Sequence, residues 1–244
     1  MFASRVWKTL FSGAAILWGY GAGMASAAPE GQADPALTPS EAIEHLLSLQ
    51  HGLARLDEEE TALVEQIRRN PADYVEPLSG TLQLADAGGA LDSLETRLRL
   101  ERALGVARLI GAEHGRDMVQ HFFTQISRRV SDLRSVALEP DDPRREALQN
   151  ALSLRRHALE LLGEFRDARA VDSALASLEI EDLASRHVTL QYLAQIEAAR
   201  DRVRNELRRM TGDPKSPLYR FGPALKTLEA LDAAAETKPG ALPG

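Results

Sequence analysis

Cysteine is absent from the 244 residues. That excludes disulfides, thiolate zinc sites, a thiol nucleophile and lipid attachment at an N-terminal cysteine. An exported chain without disulfides must rest on packing alone, which suits a bacterial envelope protein better than a small secreted eukaryotic domain. Aromatic residues are sparse, at 5%, and no strictly alternating apolar run lies between turn signals. Pleated strands enrich Val, Ile, Thr and aromatics, whereas Leu and Ala dominate here, so the expected class is all-α. Lysine is scarce as well: Lys8, Lys215, Lys226 and Lys238 are four of the 29 basic residues, which leaves 25 arginines. Biased codon usage in a GC-rich genome accounts for such a ratio; a demand for guanidinium forks is the functional alternative.

Also missing are the sequence signatures of chemistry. There is no Gly-rich phosphate loop, no G-x-S-x-G elbow and no G-x-G-x-x-G turn. The six histidines are His45, His51, His114, His121, His157 and His187, and no pair shows the helical zinc-protease spacing. His114 and His121, seven apart, share a face only if their helix begins before Gly115, which the glycine argues against. "DEEE" at 57–60 reads as a solvated helix start, since consecutive acids on a helix point in different directions. "DAGGALD" at 86–92 reads as a hinge or linker after a helix. The expectation is a non-catalytic protein with no cofactor and no metal.

What is present begins with an address. Arg5 and Lys8 precede an apolar centre at 10–24, and Ala25-Ser26-Ala27 supplies the small-x-small pattern of a signal-peptidase site. The expected signal peptide is 1–27, the mature chain starts at Ala28, and the protein is periplasmic or secreted. An uncleaved anchor is disfavoured by Gly13, Gly19, Gly21 and Gly23, and a mitochondrial presequence by the continuous apolar centre. The formal charge of −7, together with the loss of Arg5 and Lys8, leaves the mature chain at −9. Such a chain has no global field to attract nucleic acid. With 27% charged and 44% hydrophobic residues, the chain has the balance of a folded domain.

Past a polar lead-in at 28–37, expected to be disordered, helix starts are plainly written. Thr38-Pro39 with Glu41, Asn70-Pro71 with Asp73, Asp92 with Glu95, and Asp142-Pro143 combine caps with proline or an acid in the first turn. Apolar residues then recur at three-four spacing. One stripe is Leu100, Ala103, Leu104, Ala107 and Ile110; another is Val119, Phe122, Phe123, Ile126, Val130, Leu133 and Ala137. Shorter ones run through Val171, Ala174, Leu175 and Leu178, through Val203, Leu207 and Met210, and through Leu218, Phe221, Leu225 and Leu228. The helical domain is expected over 38–232, with a frayed tail over 233–244.

The segment 161–178 lies over 109–126 without gaps, pairing Gly111 with Gly163 and Val119 with Val171. A third copy around 192–207 needs one extra residue, and an earlier hairpin is expected to turn at Asn70-Pro71. Gly163 is expected to end its helix in the left-handed conformation, with Asp167 capping the next helix and Arg169 reaching a neighbouring carboxylate or carbonyl. The pattern L-G-x-x-x-D-x-R-A-V at 162–171 resembles the inter-helix corner of bacterial HEAT-like repeats. The resemblance covers at most half of the mature chain. It implies antiparallel helix pairs stacked into an α-α superhelix that binds other proteins; an irregular helical bundle is the alternative architecture. In stacked pairs the second helices line the concave side. Arg200, Arg204 and Arg208 at i, i+4 and i+8, with Arg128, Arg129 and Arg134 on an earlier second helix, are therefore the candidate partner-binding residues. The partner expected is a protein or peptide, with acidic character, and not a nucleic acid; a membrane enters only if the signal segment is retained. Pairing with Glu197, Asp201 and Glu206 on a wet face is the competing account of the same arginines. The alternative function is a self-associating assembly module.

Overall fold

A computed structural model describes residues 37–49, 53, 55–83, 91, 93–136, 139, 141–142 and 144–236. The expected signal segment, most of the lead-in, Asp92, Pro143, Ala137 and the linker residues 84–90 lie outside the described residues. Among the described residues the secondary structure is helical throughout, with no strand. The ten α-helices are α1 (Pro39–Ser48), α2 (Glu58–Arg69), α3 (Val75–Gln83), α4 (Leu94–Ile110), α5 (Ala112–Arg134), α6 (Arg144–Glu164), α7 (Val171–Ser177), α8 (Leu183–Gln195), α9 (Arg200–Gly212) and α10 (Gly222–Glu236). The last of these runs past the boundary read at 232. None is long and apolar enough to cross a membrane.

Cap chemistry sets the starts. Thr38 Oγ1 accepts from the Glu41 N–H at 3.3 Å while Glu41 accepts from the Thr38 N–H at 2.8 Å, so two orphan donors are satisfied reciprocally. The "DEEE" segment is a second capping box, with Asp57 as cap and Glu60 turned back onto it. Ser93, one residue beyond Asp92, caps α4 by accepting from the Thr96 N–H at 3.1 Å. Asp142 accepts from the Arg144 N–H at 2.9 Å. Asn70 departs from expectation: its side chain makes no cap, and Pro71 opens a 3-10 turn, Pro71–Tyr74, ahead of α3.

The apolar stripes are the core. Phe122, Phe123, Tyr74 and Tyr192 are fully shielded; burying a large apolar side chain is worth about 1.5–3 kcal/mol. The last stripe is shifted: Leu218, Ala224 and Leu231 are buried, with Phe221 and Leu228 partly so. Helices α4, α6, α8 and α10 pack side by side in chain order. On the other side of the pairs α3 packs on α5 and α7 on α9, and the broadest contact is α5 against α6.

The corners differ from one another more than their sequences do. Gly111 closes α4 through its N–H to Ala107 O (3.2 Å) and opens α5 through its carbonyl to the Gly115 N–H (2.8 Å). Its φ of 85° is one that side-chain-bearing residues rarely adopt. Gly163, its partner by alignment, does not end a helix. It sits inside α6, where a Cβ would come within 2.7 Å of Gln195 Oε1, so its smallness serves close packing against α8. The left-handed residue is Arg166, at φ 53°. Asp167 N–H donates to Leu162 O and Arg166 N–H to Gly163 O, both at 2.9 Å, which is a Schellman closure with arginine in the usual glycine place. From there Asp167 caps the 3-10 turn Ala168–Ala170 that leads into α7. The third corner shares only the 3-10 turn, Glu197–Ala199, which leads into α9; Ile196 at its start makes no side-chain cap and is not left-handed.

Candidate functional site

The α9 arginines turn toward their own neighbours. Arg208 meets Asp232 of α10 at 2.6 Å, and Arg204 lies 3.0 Å from Asp201 and 3.9 Å from Asp232. Arg200 stands 3.7 Å from Glu197 and lines a shallow hollow of about 410 Å³ with Gly163, Glu164, Arg166, Ala194 and Gln195. This stripe therefore neutralises itself against α10 and its own helix.

The α5 arginines behave differently. Among the described residues, none of Arg128, Arg129 and Arg134 has a carboxylate within ion-pair distance. Arg128 is exposed, and Arg129 and Arg134 are half-buried. Arg134 stands between two hollows. One, of about 610 Å³, lies between the end of α5 and the start of α6 and is lined by Leu133, Val136, Arg145, Glu146, Leu148 and Gln149. The other, of about 190 Å³, lies between α5 and α7. Its α5 side is Ser127, Val130, Ser131 and Arg134, at i, i+3, i+4 and i+7. Its α7 side is Ser173, Ala176 and Ser177, with Ile180 at the rim. Small side chains on both faces leave the slot open.

The floor of that slot is Arg155, which the sequence reading missed. It projects from α6, and its side chain is 5% exposed. Its Nη1 donates to Glu181, whose side chain is fully shielded, its Nη2 to Ser177 Oγ at 2.9 Å and its Nε to Ser127 Oγ at 3.1 Å. Glu181 also accepts from Thr189 Oγ1 at 2.9 Å, and the Phe123 ring centroid lies 5.4 Å from the Arg155 guanidinium carbon. One charge pair thus joins α5, α6, α7 and α8. Burial draws the Arg155 guanidinium below its ordinary value, the nearby Arg134 cation draws it further, and Asp182 opposes both. The legible signal was position: Ala151, Arg155, Ala158 and Leu162 share the inward face of α6, so an arginine there must be buried.

A second charged cluster ties the α6–α7 corner to α5 and α8. Arg169 donates to both Asp167 oxygens and, at 2.7 Å, to Asp117 of α5, as its sequence reading anticipated. Arg116 Nη2 donates to Phe165 O at 3.1 Å, and Tyr192 donates its hydroxyl to Asp167 O at 2.6 Å. Burial would raise the Asp167 carboxyl, but the hydrogen bonds from Arg169 overcome it and hold the group below its ordinary range. Burial, with the Asp167 charge adding to it, pushes the Tyr192 phenol well above its usual value.

The histidine expectation is corrected by the position of the α5 start. Because α5 begins at Ala112, His114 and His121 do share a face. With Asp117, Met118 and Phe122 they line a hollow of about 460 Å³ against Val75, Ser79, Leu82 and Gln83. Gly115 did not stop the helix: without a Cβ it lets α5 approach the α4 carbonyl of Ala107. Among the described residues no group of three His, Asp or Glu side chains could hold a metal ion.

Comparison with protein-family models, curated proteins and solved structures found no match to this chain.

Proposed function

We propose that the protein is an exported, non-catalytic helical-repeat scaffold of the cell envelope that binds an acidic segment of another protein. Its helix pairs, with second helices α5, α7 and α9, are read as HEAT-like stacking. The observation that carries the binding role is Arg134, a cation without a carboxylate partner among the described residues, set between two hollows of partly apolar lining. A partner's acidic groups would gain a guanidinium there without first displacing an internal ion pair. Arg128 and Arg129 extend the positive surface along α5. The α9 arginines, engaged by Asp201 and Asp232, are secondary in this reading.

The test is capture from the native envelope fraction by the mature chain, 28–244. Beside it run the Arg128→Glu/Arg129→Glu/Arg134→Glu variant and the Arg200→Glu/Arg204→Glu/Arg208→Glu variant, each checked for helicity. Capture lost in the first and kept in the second supports the reading. Capture indifferent to the α5 charges refutes it.

The exposed pair Ile180 and Leu183, at 68% and 66%, favours self-association as the second reading. A mass that rises with concentration in sedimentation, and falls on Ile180→Asp/Leu183→Asp substitution, would move the assignment there.

A further inference from the structure

The slot between α5 and α7 is too small for a cofactor-sized molecule, which needs roughly 300–1,000 Å³. At about 190 Å³ it suits a single residue. Its lining has two characters. Arg134 and the hydroxyls of the exposed Ser131 and Ser173 supply the polar one; these three side chains form no hydrogen bond or ion pair with another described residue. Val130, Ala176 and Ile180 form the other, and Ile180 stands 68% exposed. The site thus asks for an anion and an apolar group carried together at short range. An internal Asp or Glu brings the anion without the apolar arm, and an internal Leu or Val the reverse. A chain end brings both, because the terminal carboxylate and the last side chain leave the same Cα.

We propose that this slot seats the C-terminal residue of the partner protein, its carboxylate held by Arg134, Ser131 and Ser173 and its apolar side chain laid over Val130, Ala176 and Ile180. The proposal rests on the scaffold reading above and names the part of the partner that is bound. The floor supports it electrically. Arg155 and Arg134 repel each other; Glu181 pairs with Arg155 and the Asp182 charge favours the Arg155 cation, while no carboxylate among the described residues lies within ion-pair distance of Arg134. A carboxylate at Arg134 completes the neutralisation. Arg155 itself already spends its donors on Ser127, Ser177 and Glu181 and positions the slot rather than touching the ligand.

The experiment uses the mature chain, 28–244, and fluorescein-labelled pentapeptides with mixed upstream positions and a C-terminal leucine, prepared as free acids and as amides. Anisotropy titration should show the free acids binding roughly ten-fold tighter or more. Arg134→Gln and Ile180→Asp should each abolish the difference, while Arg208→Gln, at a cation already paired with Asp232, leaves it intact. All three positions are on the surface or half-buried, and circular dichroism checks that each variant is folded. Equal affinity for acid and amide, no binding of either, or a preference that survives Arg134→Gln overturns the proposal. Displacement of a shift reporter by inorganic phosphate without any peptide binding also overturns it, marking an oxyanion site of another kind. Envelope capture that depends on the α5 arginines, but is unchanged for a partner with a blocked C-terminus, would sink this proposal and leave the scaffold reading standing.

Discussion

Replacing Glu181 by leucine leaves the Arg155 charge buried with only two serine hydroxyls and the Phe123 ring for company. The side chains are 5% and 0% exposed, so water cannot take over the lost role. Stripping one partner from a buried pair costs about 3–5 kcal/mol, against about 1 kcal/mol for a neutral hydrogen bond. At about 2–4 °C per kcal/mol for a domain of this size, the thermal midpoint of Glu181→Leu should fall by roughly 6–20 °C. Arg155→Met should destabilise less, since a lone carboxylic acid can take up a proton and stay neutral. The double variant carries no buried charge at this site and should come within about 1 kcal/mol of the parent. Urea unfolding followed by circular dichroism gives all four stabilities and closes the cycle. If the two single effects add to within about 0.5 kcal/mol, the residues are not coupled and the account of the network is wrong.

Four further outcomes follow from the corners. Gly115→Ala should lose about 1–3 kcal/mol, because the new methyl meets the Ala107 carbonyl at 2.9 Å and the Phe165 ring at 3.4 Å. Gly163→Ala meets the movable end of Gln195 at 2.7 Å and the Tyr192 ring at an ordinary 3.5 Å, so helix propensity should offset the contact and leave the change within about 1 kcal/mol; equal losses at both sites, read by urea unfolding, would contradict this. Tyr192→Phe removes the donor to Asp167 O and should cost about 1 kcal/mol by the same assay. Asp167 and Asp182 both titrate below their ordinary value of 3.8 in the folded chain, so their stabilising contribution is complete above that pH. It should be lost as acid takes the pH down through the depressed folded values, and Asp167→Asn should flatten that part of the pH–stability curve.

The helices were legible because their stripes and caps are local. Every residue of the Val119–Leu133 stripe is buried where three-four spacing placed it, and the Thr38 cap forms as read, whereas Asp167 caps the 3-10 turn ahead of α7 rather than α7 itself. Corner geometry was not legible, because a glycine has several uses. Gly111 bends the chain, Gly115 admits a carbonyl and Gly163 admits a side chain; only the first is a matter of its own backbone. Hence Gly163 was read as a helix end while Arg166 holds the left-handed turn. The arginine stripe on α9 shows the same limit. Its periodicity is real, but Asp232, 24 residues beyond Arg208, decides whether it is free, and no spacing rule reaches that far. Arg155 was visible in principle as a charge among Ala151, Ala158 and Leu162, though its partner Glu181 lay in a turn without a pattern.

Stacks of helix pairs, the arrangement proposed above, tend to melt piecewise, since each pair touches only its neighbours. The Arg155–Glu181 centre works against that. Opening any of α5, α6, α7 or α8 exposes the same two charges to incomplete partners, so these four helices gain by opening together. Among the described residues no comparable tie holds α9 and α10, whose charge contacts lie at the surface and are easily exchanged for water. Amide hydrogen exchange should therefore divide the chain unevenly. A cooperative block from α5 to α8 would exchange last, and the α9–α10 end would open ahead of it. The slot at Arg134 sits on that block, so a chain end of the kind proposed would be gripped without first ordering the site that receives it.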